Sequence, residues 1–467
     1  MKIVMFSINP IFPDLVTGGA SKHLYTVARH LGVQGHDVEI LCARPNDELA
    51  PFTWVEGVRV FPMLPFHLPF PQPYAIGGGE LALIVQKVSQ ALEDADRFYI
   101  HDGELLLPDL YSQIPTVTSF RDNVYPESIL GSFIGKSDEL ICVSPFSAEV
   151  ILSTAGRFYP GLRDRLHQIN NGIDFDLFKP VPTAVLKRQF GLTEADGPIL
   201  LHPHRPEPGK GLPETVRLAE RLVHEKGYAH LKVLVPEWIG SMVSGGDSDF
   251  YRELMDLMTR LEIREHFHFI PWIAPEEMPA LYSLGDLTLC LGSIVEAFGN
   301  VAYESLACGT PSLVARVGVH RTLLPDGLIN RIPFGDLDLA VQIADEIISA
   351  DKGVSVETLD YLHRELDFDK QIQSYANLIT GAQKRTSLAF RVSTPEENLR
   401  YKLAPWCDLA GDRIYHDYRG RFEPAGALVE VFGKERVISL ASAKKKGVTD
   451  QTWETWIEKT YIVPGQD

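Results

Sequence analysis

The chain has 467 residues, 45% hydrophobic and 23% charged, an ordinary globular composition with length enough for two or three domains. A formal net charge of -18 and an isoelectric point of about 5.3 give a surface that repels phosphate polymers, which argues against a nucleic-acid partner while leaving room for a local basic pocket. Cys42, Cys142, Cys290, Cys308 and Cys407 are scattered and include no Cys-x-x-Cys pair, so neither a disulfide framework nor a zinc site is expected and a reducing, cytoplasmic location is.

The first apolar run, 2–8, has no small-residue cleavage site after it and predicts a first β-strand, not a signal peptide. A loop with Gly18 and Gly19 follows, then apolar residues at helical spacing over 20–31 (Leu24, Val27, Ala28, Leu31), then a second apolar run at 37–43. Strand, glycine loop, helix, strand is a βαβ unit and implies a parallel sheet. Short buried strands are predicted at 98–101, 116–120 and 139–143, and the proline-rich 62–73 is predicted as a loop. Periodicity stops around 170–182, where a domain boundary is placed at 178/179. A second series follows, with strands at 199–202, 231–235, 267–270, 287–291 and 311–315. Its helices are predicted at 212–226, 251–261, 275–284 and 301–307, giving a second doubly wound domain over 179–367. The segment 337–350 reads as a further helix, and a helix at about 368–385 is expected to close back on the first domain. The tail 387–467 reads as a small separate α+β module, with strands at 413–418, 427–432 and 436–440 and a helix at 450–459. No apolar stretch reaches the roughly 18 residues that a membrane span needs, so any membrane contact would be peripheral.

Ligands of doubly wound folds bind at the carboxyl ends of the strands, so residues just after each strand are the candidates. In 292–311, G-S-I-V-E-A-F-G-N-V-A-Y-E-S-L-A-C-G-T-P, Glu296 lies in the loop and Gly299 and Asn300 open the next helix. The amides of Asn300 and Val301, with the positive end of the helix dipole, suit a diphosphate. Glu304, one turn on, can accept from a ribose, and Glu296 from sugar hydroxyls. In 202–211, H-P-H-R-P-E-P-G-K-G, Arg205 and Lys210 are two cations on one loop at a strand end, able to stabilise a leaving diphosphate.

These two segments resemble retaining glycosyltransferases of the GT-B fold, family 4 type. Glu296 and Glu304 match that family's Glu-x7-Glu signature, and Arg205 and Lys210 its diphosphate-holding Arg and Lys-Gly, although Pro-His stands before Arg205 where the family has Gly. The resemblance implies two Rossmann-like domains facing a cleft and a nucleotide diphosphate sugar as donor. It implies same-face attack by an acceptor hydroxyl; no metal is expected, because Arg205, Lys210 and the helix terminus supply the positive charge, and no cofactor is expected. It further implies that Gly18 and Gly19 close over the donor phosphate, that His101 hydrogen-bonds the transferred sugar, and that Trp272 and Ile273 hold the base. Arg121, after the strand 116–120, is a candidate phosphate or acceptor contact. The Asp-x-Asp strings Asp94–Asp96 and Asp336–Asp338 read as solvated charges.

A dehydrogenase is disfavoured, because no Gly-x-Gly-x-x-Gly follows the first strand. A nucleotide-sugar epimerase and a non-catalytic nucleotide-sugar sensor remain as rivals. In the tail, L-A-P-W-C-D-L-A-G-D (403–412) and F-E-P-A-G-A-L-V-E-V-F-G (422–433) resemble small winged-helix peptide-recognition domains, an accessory or dimerising module being the other reading, so the acceptor alternatives are a small molecule, a glycan or a peptide. The sequence does not specify sugar, base, acceptor or oligomeric state.

Overall fold

The computed structural model describes every residue except 14, 16–17, 47–48, 69–71, 238–247, 272, 393–398, 434 and 466–467, and the side chain of 248. It divides into two compact units: Met1–Asn170 with Asp369–Leu399 and Pro464–Asp467, and Asn171–Phe368 with Arg400–Val463. The break after the first sheet falls at 170/171, ahead of the 178/179 expected from the loss of periodicity.

The first unit carries an eight-stranded sheet. From edge to edge it runs Phe52–Val55, Val58–Leu64, Asp37–Ala43, Lys2–Ser7, Arg97–Ile100, Thr116–Phe120, Glu139–Cys142 and Leu166–Gln168. All neighbours are parallel except the outermost Phe52–Val55, which is antiparallel to Val58–Leu64. Central strands such as Lys2–Ser7 and Thr116–Phe120 are buried almost throughout, the continuous apolar pattern of a parallel sheet covered on both faces. The predicted loop at 62–73 starts too early, since Pro62 lies in a strand opposite Cys42. The outer strand ends at Phe52, paired with Val60, so at Pro62 the sheet is already at its edge, where a missing N–H is tolerated. Gly18 and Gly19 lie in the first turn of the helix Gly18–Val33, not in a loop before it. Asp94 and Asp96 are tied to Lys2, through its Nζ at 2.6 Å and its backbone N–H at 2.8 Å.

The second unit carries a six-stranded, all-parallel sheet ordered Phe267–Ile270, Lys232–Pro236, Ile199–Leu201, Leu287–Cys290, Ser312–Ala315, Asn330–Ile332. Numbered within the unit this is 3-2-1-4-5-6, so the order reverses between Ile199–Leu201 and Leu287–Cys290. The helix Leu212–His224 covers one face because Leu212, Thr215, Val216, Leu218, Ala219 and Leu222 recur at helical spacing and are all buried. It starts on left-handed Gly211 with a proline in its first turn and ends with Arg221 and His224, in keeping with its dipole. It shares a core with Leu337–Ser349, through Val341, Ala344 and Ile347. Each buried leucine there contributes about 1.5–3 kcal/mol. Asp336 caps Leu337–Ser349 by accepting from the Leu339 N–H, and Asp338 pairs with Arg221 at 2.6 Å.

Residues 400–463 group with the second unit. With Pro464 they form an antiparallel meander, Cys407–Ala410, Arg413–His416 and Arg421–Pro424, and a second small sheet of Val437–Ser439, Arg400–Leu403 and Ile462–Pro464. Ala427–Phe432, expected as a strand, is a helix. Its buried residues are Leu428 and Val431, three apart, and the intervening Glu430 is exposed, so tertiary burial selects helical spacing over the local alternation. All five cysteines are buried and unpaired. Among the described residues no helix is long and apolar enough to cross a membrane.

Candidate active site

At the reversal point of the second sheet, the loops after Ile199–Leu201 and Leu287–Cys290 meet backbone to backbone. The Gly209 carbonyl accepts from the Ser293 and Ile294 N–H groups at 2.9 and 3.1 Å. A Cβ on Gly292 would stand 2.3 Å from the Gly209 oxygen, and one on Gly211 2.5 Å from the Gly292 nitrogen. Only glycines allow that approach, and Gly211 also needs its left-handed φ of +89°. The crossing brings Lys210 to Glu296, Nζ to Oε1 at 2.7 Å, although the residues lie 86 apart in sequence. An ammonium has three donors, so two remain for a ligand.

Glu296 leads to Gly299, left-handed at φ +74°, which starts the helix Asn300–Ala307 with no side-chain cap. The amides of Asn300 and Val301 therefore have no acceptor inside their helix. The turn Gly318–Arg321 closes the back of this segment. Val319 N–H donates to the Glu296 carbonyl at 3.1 Å. The His320 ring lies so close to Gly299 that a Cβ there would be 2.6 Å from His320 Cε1. Tyr303 Oη and His320 Nδ1 are 3.0 Å apart. A small pocket is lined by His204, Lys210, Cys290, Gly292, Glu296 and His320 among others. His204 Nε2 is 3.4 Å from Cys290 Sγ, and His202 Nδ1 is 3.1 Å from the Thr215 hydroxyl, which itself donates to the Gly211 carbonyl; His202 is therefore the donor to that oxygen.

Burial, reinforced by the neighbouring Lys210, keeps these imidazoles neutral: His204 is pushed down to about 3 and His320, despite the nearby Glu296, to about 4. The sign follows. Folded His320 binds its proton later than an unfolded histidine, so its contribution to stability is intact above pH ~6.5 and is lost as pH falls towards about 4. A displacement of that size corresponds to about 3 kcal/mol across the window. Denaturant unfolding between pH 7 and 4.5 is expected to show a shallower acid slope for His320→Asn than for the parent; equal slopes would contradict a neutral, buried His320.

Glu304 accepts from the Tyr282 hydroxyl at 3.0 Å, and Ile273 is buried just after its strand. Arg205 is half-exposed and pairs with Glu207 on its own loop at 3.2 Å, so the structure joins Lys210, not Arg205, to Glu296. Trp272 lies outside the described residues.

The first unit builds its own cluster at the corresponding reversal, between Lys2–Ser7 and Arg97–Ile100. His101 is buried, with Nε2 3.1 Å from the Ala20 carbonyl and Nδ1 3.0 Å from the Tyr99 hydroxyl, which lies 2.8 Å from Ser119 Oγ. A carbonyl only accepts, so Nε2 carries the proton and the neutral ring accepts at Nδ1. Burial, with Arg121 adding to it, holds the ring well below the usual histidine range. A sugar hydroxyl reaching Nε2 would have to replace the Ala20 carbonyl, the first turn of the helix that Gly18 and Gly19 begin. His23 stacks on His101 at 5.9 Å and edges onto Tyr375 at 4.5 Å. Arg121 donates to the Tyr375 hydroxyl at 3.4 Å. Beside it, Asp102 sits in a left-handed turn (φ +63°) and burial raises its carboxyl to about 6, against the pull of Arg121.

Sequence reasoning missed His320, Tyr303 and His23 as neighbours of the named site residues. His320 had a usable signal: it follows the strand Ser312–Ala315 as Glu296 follows Leu287–Cys290.

Residues 17–177 match the model of Glycosyltransferase Family 4, and residues 186–348 that of Glycosyl transferases group 1. The chain belongs to the family 4-like glycosyltransferases of GT-B fold. This family 4-like chain is 33% identical over 165 residues to the D-inositol 3-phosphate glycosyltransferase of Thermobispora bispora, covering 35% of this chain and 38% of that protein. It is 34% identical over 154 residues to the protein of the same name from Mycobacteroides abscessus, covering 33% and 32%. The matched stretch thus spans less than half the length of these curated relatives. Among solved structures it shares its fold with HepE of Anabaena in complex with UDP (TM-score 0.63, 20% identity, 82% of this chain and all of that one). Sucrose-phosphate synthase from Thermosynechococcus elongatus is similar to the same extent (TM-score 0.65, 17% identity, 81% and 98%). The 400–463 tail lies beyond both family matches.

Proposed function

We propose that this glycosyltransferase-family chain moves a sugar from a nucleoside diphosphate sugar to an acceptor hydroxyl, with retention of configuration and without a metal. The observation that carries the reading is the Lys210–Glu296 pair, set at the sheet's reversal point directly before the uncapped helix Asn300–Ala307. On this reading the diphosphate takes the two remaining Lys210 donors and the Asn300 and Val301 amides, and Glu296 turns to the sugar hydroxyls. Charge that builds on the leaving diphosphate meets preorganised donors, so no divalent ion is needed to neutralise it. The acceptor proton passes to the leaving phosphate oxygen as the acceptor oxygen bonds to the anomeric carbon on the same face. Arg205 reaches the diphosphate by leaving Glu207, at little cost for so exposed a pair. The UDP complex of HepE supports a nucleotide donor.

Thermal unfolding with UDP, GDP, ADP and TDP sugars is expected to raise the midpoint for one of them. Ligand at 100 times its dissociation constant adds about 2.7 kcal/mol. Turnover should persist in EDTA and give a product whose anomeric configuration, read by NMR, matches the donor's. Inversion, or loss of turnover on chelation, would refute that part of the proposal.

A further inference from the structure

The turn Gly318–Arg321 has two sides. Inward, Gly318 abuts Glu296, with a Cβ there only 2.7 Å from the Glu296 carbonyl oxygen. Val319 N–H donates to that oxygen, and His320 lies against Gly299 and Tyr303. Outward, both ends of the turn are held by one carboxylate from the tail. Asp417 Oδ2 accepts from Gly318 N–H at 3.2 Å and from Arg321 Nη1 at 2.8 Å, and Oδ1 accepts from Arg321 Nη2. Arg321 Nη1 also donates to the Pro405 carbonyl at 2.9 Å. The Asp417 side chain has no solvent exposure and that of Arg321 only 6%.

Asp417 is itself anchored. Its N–H donates to the Trp406 carbonyl at 2.9 Å, Asp408 pairs with Arg316 at 3.2 Å, and Tyr415 packs on Phe334, Ala315 and Val317. The meander therefore grips the chain on both sides of the residues that touch Glu296 and Gly299.

We propose that Asp417 is a positioning residue for the Glu296–His320 site, acting from the tail through the Gly318–Arg321 turn. The inference rests on the proposed transfer for its kinetic consequence, but its structural content does not. Without the carboxylate's charge the buried Arg321 guanidinium keeps only the Pro405 carbonyl and the more distant Asp408 carboxylate, 4.0 Å from its Nε, and Gly318 N–H must share the one remaining acceptor oxygen, so the turn relaxes away from Glu296. A misplacement near 1 Å in a reacting site costs about 10²-fold in rate.

The test compares Asp417→Asn with Glu423→Gln in the full chain. Glu423 pairs with Lys459 and Arg421 in the same tail, with no bond to the turn. Asp417→Asn is expected to speed hydrogen exchange at the Val319 amide and to lower kcat about 10²-fold. Combined with His320→Ala it should be strongly non-additive, as for residues acting through one element. Glu423→Gln should change none of these. Should Asp417→Asn not fold, Arg321→Lys, which keeps the charge and loses the two-pronged bond, carries the same expectations. Folded Asp417→Asn with unchanged Val319 exchange, or equal effects from Glu423→Gln, would overturn the proposal. Faster Val319 exchange in a chain whose parent transfers no sugar would uphold the positioning role and count against the transfer reading instead.

Discussion

Lys210→Ala is expected to lower kcat about 10²–10³-fold, the usual effect of removing one preorganised donor from a site of developing negative charge. The ammonium lies 2.7 Å from Glu296 and the two side chains are 20% and 29% exposed, so the unfolding midpoint should fall by no more than the loss of one partly solvated ion pair, far less than the rate. Glu296→Ala should be comparably slow for a different reason: Lys210 then keeps its full charge for the diphosphate, but the sugar loses its acceptor. Affinity for the free nucleoside diphosphate therefore separates the two. It falls in Lys210→Ala and is kept in Glu296→Ala. Steady-state kinetics with calorimetric titration of the diphosphate checks both, and a Lys210→Ala variant at parental kcat would end the assignment.

Gly211→Val is expected to be the most damaging single change to the scaffold of the site. A left-handed backbone costs a non-glycine residue roughly 1–2 kcal/mol, and forcing atoms into a packed contact a further 1–3. Here the contact is backbone, Gly292 N at 2.5 Å and Leu291 C at 2.7 Å, which cannot rotate away as a side chain could. A loss of about 3 kcal/mol or more should lower the midpoint of the second unit by roughly 10 °C. Because the same crossing brings Lys210 to Glu296, diphosphate affinity should fall in whatever fraction stays folded. Calorimetric unfolding with and without the diphosphate measures both effects. An unchanged midpoint would show that the loops part without cost and do not set the site.

Much of this site was legible because its parts are local. Glu296, Gly299, Asn300 and Glu304 fall within nine residues, directly after an apolar run, so strand, loop and helix start follow from pattern and spacing alone. Lys210 was legible as a cation at a strand end, but not as the partner of Glu296. That pairing depends on two strands lying side by side while the second and third strands of the unit, between them in sequence, lie on the far side. Arg205, twinned with Lys210 by its motif, pairs instead with Glu207, because its own loop directs it there.

By itself the sequence determined two parallel α/β sheets, the strand ends where polar residues gather, and the family, since each rests on short-range periodicity, glycine punctuation or a contiguous motif. Only the tertiary structure decided that residues 400–463 belong to the second unit, that Ala427–Phe432 is helical, and that His320 and Asp417 stand on either side of one turn behind Glu296. The physical reason is that burial and ion pairing between residues nearly a hundred positions apart, such as Arg321 and Asp417, leave no periodic trace in the chain.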